Sequence, residues 1–225
     1  FNRFEYLFES FAKVINDERI GEVVIVDDHS DPAIFSRIEE RAKYMPKVQL
    51  VRNSQNVGCY ENKRIAVAAA ANKYCIIFDS DNVIDVDYLD VIYTQTWRNH
   101  LIFAPDFAKP VFDYTAFSGK LFTKQNVHQS AFKKMFDCLM NTMNFFVHRD
   151  SFLTAWRAND NIKGADSIYF NYLWLSMGGE IYVPHGLQYF HRTTHEKEHG
   201  SNFVQYGKES TPVCKQIEKL LSEMR

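Results

Sequence analysis

Three apolar runs near the start of the chain, "EVVIVD", "VQLVR" and "YCIIFD", are separated from one another by segments of helical periodicity. That alternation constrains the fold more than any other feature. Strands that alternate with helices through short links form a parallel sheet with right-handed crossovers. The helical segments are "DPAIFSRIEERAKY", opened by Asp31 and Pro32, and the Ala-rich "YENKRIAVAAAANK". An earlier one, "RFEYLFESFAKVIN" at residues 3 to 16, sets Phe4, Leu7, Phe8, Phe11, Val14 and Ile15 on one face. The expected class is α/β, a mostly parallel sheet flanked by helices.

Past residue 104 the alternation stops. "APDFAKPVFDYTAFSGKLF" reads as loop or short strand, because Pro105 and Pro110 disfavour a central strand. Helices are expected near "HQSAFKKMFDCLMN", within "NFFVHRDSFLTAWRAN", at "DSIYFNYLWLSMGG" and near residues 213 to 224, with short strands at "EIYVP" and "LQYFH". A chain of 225 residues with no repeat and no low-complexity linker suits one domain, residues 1 to 225, with functional halves at 1–104 and 105–225.

Composition excludes several classes. With 26 basic and 28 acidic residues the net charge is -2, which provides no global field for nucleic acid or an anionic membrane. No apolar run reaches the roughly 18 residues of a transmembrane helix. The four cysteines are scattered and make no C-x-x-C pair, which suits a reducing compartment; the expectation is a cytoplasmic chain, with room for peripheral membrane association.

Ligands of open parallel sheets bind at the carboxyl ends of the strands. Two acidic pairs fall there, Asp27 and Asp28 in "VVIVDDHS", and Asp79 and Asp81 in "IIFDSDN". Asp27 and Asp28 suit a turn and helix cap as well as a ligand contact. Asp79 and Asp81, two carboxylates one residue apart, repel each other unless a cation lies between them. Oxygen donors of this kind suit Mg²⁺ or Mn²⁺, ions that share their coordination with water and phosphate.

Together "FNRFEYLFESF", "EVVIVDDHSD", "RNSQNVGCYENKRIAVAAA" and "YCIIFDSDNVID" resemble the nucleotide-sugar half of a family 2 type glycosyltransferase with the GT-A, Rossmann-like fold and a smaller mixed acceptor-side region. The resemblance implies a metal-dependent inverting transfer from a nucleoside-diphosphate sugar, UDP favoured, to a hydroxyl of a glycan, lipid-linked or protein-linked acceptor. It implies that Asp27 and Asp28 face the nucleobase, Asn56 and Gly58 lead a helix along the nucleotide, and Asp79, Ser80 and Asp81 form the D-x-D segment that meets Mn²⁺ or Mg²⁺. Asn62 and Lys63 fall where the family has A-R-N, with Lys63 toward phosphate or ribose. Gly164, Ala165 and Asp166 replace the family's G-E-D, leaving Asp166 as the base, and His191 of "LQYFHR" completes the metal site. The family begins with a strand absent before Phe1, and Phe1 would stack on the base. Trp156 or Tyr114 could stack on sugar faces.

"HEKEH", His195 to His199, fits the H-E-x-x-H pattern of zinc metalloproteases. Its surroundings, "RTTHEKEHGSN", have no apolar face to fix two imidazoles, so a lid in which His195, His199 and Arg192 neutralise diphosphate is the better reading. A nucleotidyltransferase would share the sheet and the metal aspartates, but the Gly-rich phosphate loop it needs near the start is not visible. A non-catalytic nucleotide-sugar-binding relative would keep the fold while losing the metal or the base.

Overall fold

The structure is a computed structural model that describes residues 1–127, 143–159, 162 and 166–192, with 211, 212, 215, 216, 219 and 223 of the last segment. "HQSAFKKMFDCLMN", Gly164, Ala165 and "HEKEH" lie outside the described residues.

The alternation expected of the first half is present. Helix α1 (Phe4–Phe11) leads to β1 (Val23–Asp27), α2 (Pro32–Ala42), β2 (Val48–Arg52), α3 (Gly58–Ala69), β3 (Tyr74–Ile76) and α4 (Val86–Tyr93). Pro32 opens α2, where its missing N–H has no helical partner to lose. Asp85 caps α4, its side chain accepting from the Val86 amide at 2.7 Å. β1 and β2 pair in parallel from Val23↔Val48 to Asp27↔Arg52, which delivers Asp27 to the carboxyl edge beside a guanidinium.

The second half contributes β4 (Leu101–Phe103), β5 (Phe107–Lys109), β6 (Phe112–Asp113), β7 (Leu121–Phe122), β8 (Phe146–His148), α5 (Arg149–Ala155), α6 (Asp166–Ser176), β9 (Glu180–Tyr182) and β10 (Gln188–Phe190). Its strands join β3 in a five-stranded sheet, order β3-β8-β4-β9-β7, apart from the parallel β1-β2 pair; β8 runs antiparallel between β3 and β4, β9 is parallel to β4 and β7 antiparallel to β9, so the sheet is mixed where a mostly parallel one was expected. A small sheet, β10-β5-β6, closes one side.

Side chains alternate across the sheet and separate two cores. From β4, Leu101 and Phe103 enter a core with Phe8, Tyr88 and Phe146, while Ile102 enters the other with Phe152, Phe170 and Trp174. Helices on both faces therefore fix the strand ends, and with them the acidic edge.

Candidate active site

Helix α3 is placed by two polar side chains from the edge it follows. Asp28 Oδ1 accepts from the Val57 amide at 2.8 Å and Oδ2 from the Gly58 amide at 2.9 Å, so one buried carboxylate caps the helix start. Gly58 begins the helix at φ +82°, a left-handed conformation that favours glycine. Asn53 and Asn56 donate to Asp28 Oδ1 and to its carbonyl, and Asn56 Oδ1 also accepts from the Gly58 amide. One turn on, Asn62 donates to the Val26 carbonyl at 3.1 Å and accepts from Asn53 at 2.9 Å, tying α3 to β1. Asp28→Ala would leave the two amides without that partner and is expected to cost about 2 to 4 kcal/mol; urea unfolding of the variant, with Asp28→Asn losing less, checks this.

The same anchoring presents Lys63 inward from α3. Its ammonium lies 2.8 Å from Asp166 Oδ2 and 3.0 Å from Asp79 Oδ1. Burial is the largest influence on Lys63 and pulls its pKa down, but the carboxylates of Asp166 and Asp79 outweigh it and hold the group well above the ordinary lysine range. Burial likewise pushes Asp79 up, and Lys63, with hydrogen bonding from Asn144, holds it below the usual carboxylate value. The Asn144 side chain accepts from the Asp79 amide at 2.8 Å and donates to Asp79 Oδ2 at 3.2 Å.

Asp81 sits against a second cation, the Arg3 guanidinium at the start of α1. The loop that carries these aspartates is clipped to β10, with Val83 N donating to Phe190 O at 2.8 Å and Phe190 N to Val83 O at 2.9 Å. Arg192, just beyond β10, thereby reaches the loop: its Nε donates to the Asp81 carbonyl at 3.1 Å and Nη2 to Glu9 at 2.7 Å. Asp27 accepts from the Ser30 amide at 2.9 Å, with Arg52 Nε 3.6 Å away.

Phe1, Asp27, Asp28, Asn56, Gly58, Asn62, Lys63, Asp79 and Ser80 all border one cavity of about 780 Å³, and Lys63 joins Asp166 to that set. Phe1 is exposed at its mouth. His191 is held from the other side, its amide donating to Lys109 O at 2.7 Å and its ring edge-on to Phe112. Among the described residues no three His, Cys, Asp or Glu side chains gather as a metal cluster. Two carboxylates still fit a hard divalent ion, because Mg²⁺ is bound through one or two carboxylates plus waters and substrate phosphates. Trp156 and Tyr114 are buried rather than open to a sugar: Trp156 stacks on Tyr60 at 3.7 Å and Tyr114 on Phe112 at 6.3 Å. No motif in the sequence singles out Arg3 or Asn144. Asn144 is 65 positions from Asp79, and no local pattern joins them.

A mixed α/β sheet with helices on both faces and an acidic carboxyl edge is the architecture of GT-A glycosyltransferases. The chain belongs to the family described as glycosyl transferase family 2, which it matches over residues 1–148. No curated protein matches it. Among solved structures it is similar to S. aureus TarS 1-349, with TM-score 0.62 and 15% identity over 93% of this chain and 62% of that one. The structure of S. aureus TarS 1-349 in complex with UDP-GlcNAc gives TM-score 0.64 and 15% identity over 86% and 57%. GalNAc-T7 with UDP, GalNAc and Mn²⁺ gives 0.62 and 13% over 83% and 41%. The chain thus spans less than two thirds of the length of these structures. Among the described residues no helix is long and apolar enough to cross a membrane.

Proposed function

We propose that the chain transfers a sugar from a nucleoside-diphosphate sugar, UDP favoured, to an acceptor hydroxyl with inversion at the anomeric carbon. The observation that carries this reading is the Lys63 ammonium, which reaches Asp79 of the D-x-D segment and Asp166 at once. A carboxylate of the D-x-D segment and the candidate base thus both lie within 3.0 Å of one ammonium, which supports a shared site for donor and acceptor. Asp166 takes the proton of the acceptor hydroxyl as that oxygen attacks the anomeric carbon, and the bond to the diphosphate breaks with its electron pair leaving on the nucleotide. Lys63, Arg3 and Arg192 supply positive charge around the diphosphate, and Phe1 with Asp27 and Asp28 borders the base. Asp79 and Asp81 would hold Mn²⁺ or Mg²⁺ together with waters and the substrate's phosphates, since His191, set against Lys109 and Phe112, does not gather with them as a third ligand, and the ion would neutralise charge on the leaving diphosphate.

UDP is favoured because structures of similar fold carry UDP or UDP-GlcNAc, and Mn²⁺ because one of them carries it. A thermal-shift and calorimetric screen of UDP, GDP, dTDP and CDP, each with and without Mn²⁺, tests the reading. At a hundredfold excess over Kd a native-state ligand adds about 2.7 kcal/mol, or about 5 to 10 °C for a chain of this size. UDP with Mn²⁺ is expected to give that shift and Asp81→Ala to remove it. No response to any diphosphate with metal would overturn the assignment.

A further inference from the structure

One side chain grips Asp79 at two points. Asn144, two positions ahead of β8, accepts from the Asp79 amide through Oδ1 at 2.8 Å and donates to Asp79 Oδ2 through Nδ2 at 3.2 Å. The backbone N–H of Asp79 can only donate, so the oxygen of the Asn144 amide must face it and the nitrogen must face the carboxylate. Nδ2 also donates to the Tyr189 hydroxyl at 3.1 Å, and the Asn144 carbonyl accepts from the Tyr88 hydroxyl at 3.3 Å. Asn144, Tyr88 and Tyr189 are all buried, so water competes little for the bonds among them.

The grip gives the two oxygens of Asp79 different surroundings. Oδ2 is held by Asn144, while Oδ1 lies 3.0 Å from the Lys63 ammonium, and the residue borders the cavity of the candidate site. Keeping this loop folded needs a partner for the Asp79 amide, which Asn144 Oδ1 supplies. The bond from Nδ2 to Oδ2 acts on the carboxylate itself and fixes its direction. Tyr189 steadies Asn144 in turn, with its own ring edge-on to Phe78 at 5.5 Å. Phe190, the next residue of β10, exchanges two backbone bonds with Val83 beyond the D-x-D segment. Strand β10 therefore holds that segment at both ends, through Asn144 at Asp79 and directly at Val83.

We propose that Asn144 is a positioning residue for Asp79 and that Tyr189 acts through it: together they hold Oδ2 and so fix the direction in which Asp79 offers its other oxygen to the candidate site. The inference rests on the proposed sugar transfer, in which Asp79 would meet Mn²⁺ or Mg²⁺. Groups that hydrogen-bond a ligating carboxylate contribute about 10- to 100-fold to metal affinity or activity without touching the ion.

Calorimetric titration with UDP in the presence of Mn²⁺, run beside urea unfolding, tests this in the parent, Asn144→Leu, Tyr189→Phe and the double variant. Leucine is of similar size and removes both bonds to Asp79, so the Kd for UDP with Mn²⁺ is expected to rise about 10- to 100-fold. Tyr189→Phe keeps the ring and removes one hydrogen bond from the amide, for an expected rise of about 2- to 10-fold. Because Tyr189 acts through Asn144, the double variant is expected to bind no more weakly than Asn144→Leu alone. A role confined to folding predicts a different pattern, with easier unfolding and fewer competent molecules but the parent Kd. That pattern, or unchanged binding by a folded Asn144→Leu protein, would overturn the inference and leave the proposed function standing. Additive losses in the double variant would overturn the part assigned to Tyr189. If Asn144→Leu does not fold, Tyr189→Phe decides: weaker binding by the folded variant supports the inference, and the parent Kd overturns it. Absence of metal-dependent UDP binding in the parent would overturn the proposed function, and this inference with it.

Discussion

Lys63→Met is expected to destabilise the protein by about 2 to 3 kcal/mol at neutral pH and to weaken donor binding. Removing one partner of a buried ion pair costs about 3 to 5 kcal/mol, because the remaining charge is left uncompensated. The figure is discounted because Asp79 keeps 36% of its side-chain surface exposed and is partly screened by water. Methionine fills much the same volume, so the loss reports charge rather than packing. The pH dependence separates this cause from others. Asp79 is held below its ordinary value of 3.8, so its stabilising contribution is fully present above that pH and is lost as pH falls through the folded value. The gap between parent and variant is therefore expected to be widest near pH 7 and to narrow below about pH 3.8. Urea unfolding at pH 7 and pH 3.5 measures it, and equal stability at pH 7 would mean that the ammonium does not hold the two carboxylates.

The first half of the fold was legible because its signals are local. "VVIVD" and "VQLVR" are short apolar runs, and the segments between them carry Pro32 and the Ala-rich stretch where helices begin and extend. The insertion of β8 between β3 and β4 was not legible, since "FVH" carries no mark of pairing antiparallel with "YCI" some seventy residues earlier. Asp28 suits a helix cap from its sequence alone, but which helix it caps is not local: it accepts from the first amides of α3, nearly thirty residues on. Asp85 and Asp90 near the D-x-D segment have structural roles, Asp85 capping α4 and pairing with Lys13, and Asp90 pairing with Arg19. The Lys63 bridge was legible only in its ends. The sequence marks Asp79, Asp166 and Lys63 as candidates, but their meeting depends on how α3, β3 and α6 pack.

Asp166→Asn is expected to lower sugar transfer by about 10² to 10⁴-fold, the range for loss of a positioned general base, which corresponds to about 3 to 5 kcal/mol in the barrier. Binding of nucleotide and metal is expected to survive. Asparagine keeps an oxygen for Lys63, and Asp79 keeps its own contact with the same ammonium. The kinetic pattern is therefore a fall in kcat with little change in the donor KM, as for a group used only in the transition state. A merely structural role for Asp166 at the start of α6 predicts the reverse, with stability falling and turnover per folded molecule intact. Steady-state kinetics of the variant beside its unfolding curve distinguish the two, and full transfer by a folded Asp166→Asn protein would remove Asp166 from the chemistry. The comparison with Lys63→Met is informative because the two residues share one contact. If the lysine serves only to hold the base in place, the double variant should be little worse than Asp166→Asn alone in kcat. If it also meets the diphosphate, the double variant should lose donor affinity as well, and the coupling between the two substitutions falls short of the full Lys63 effect.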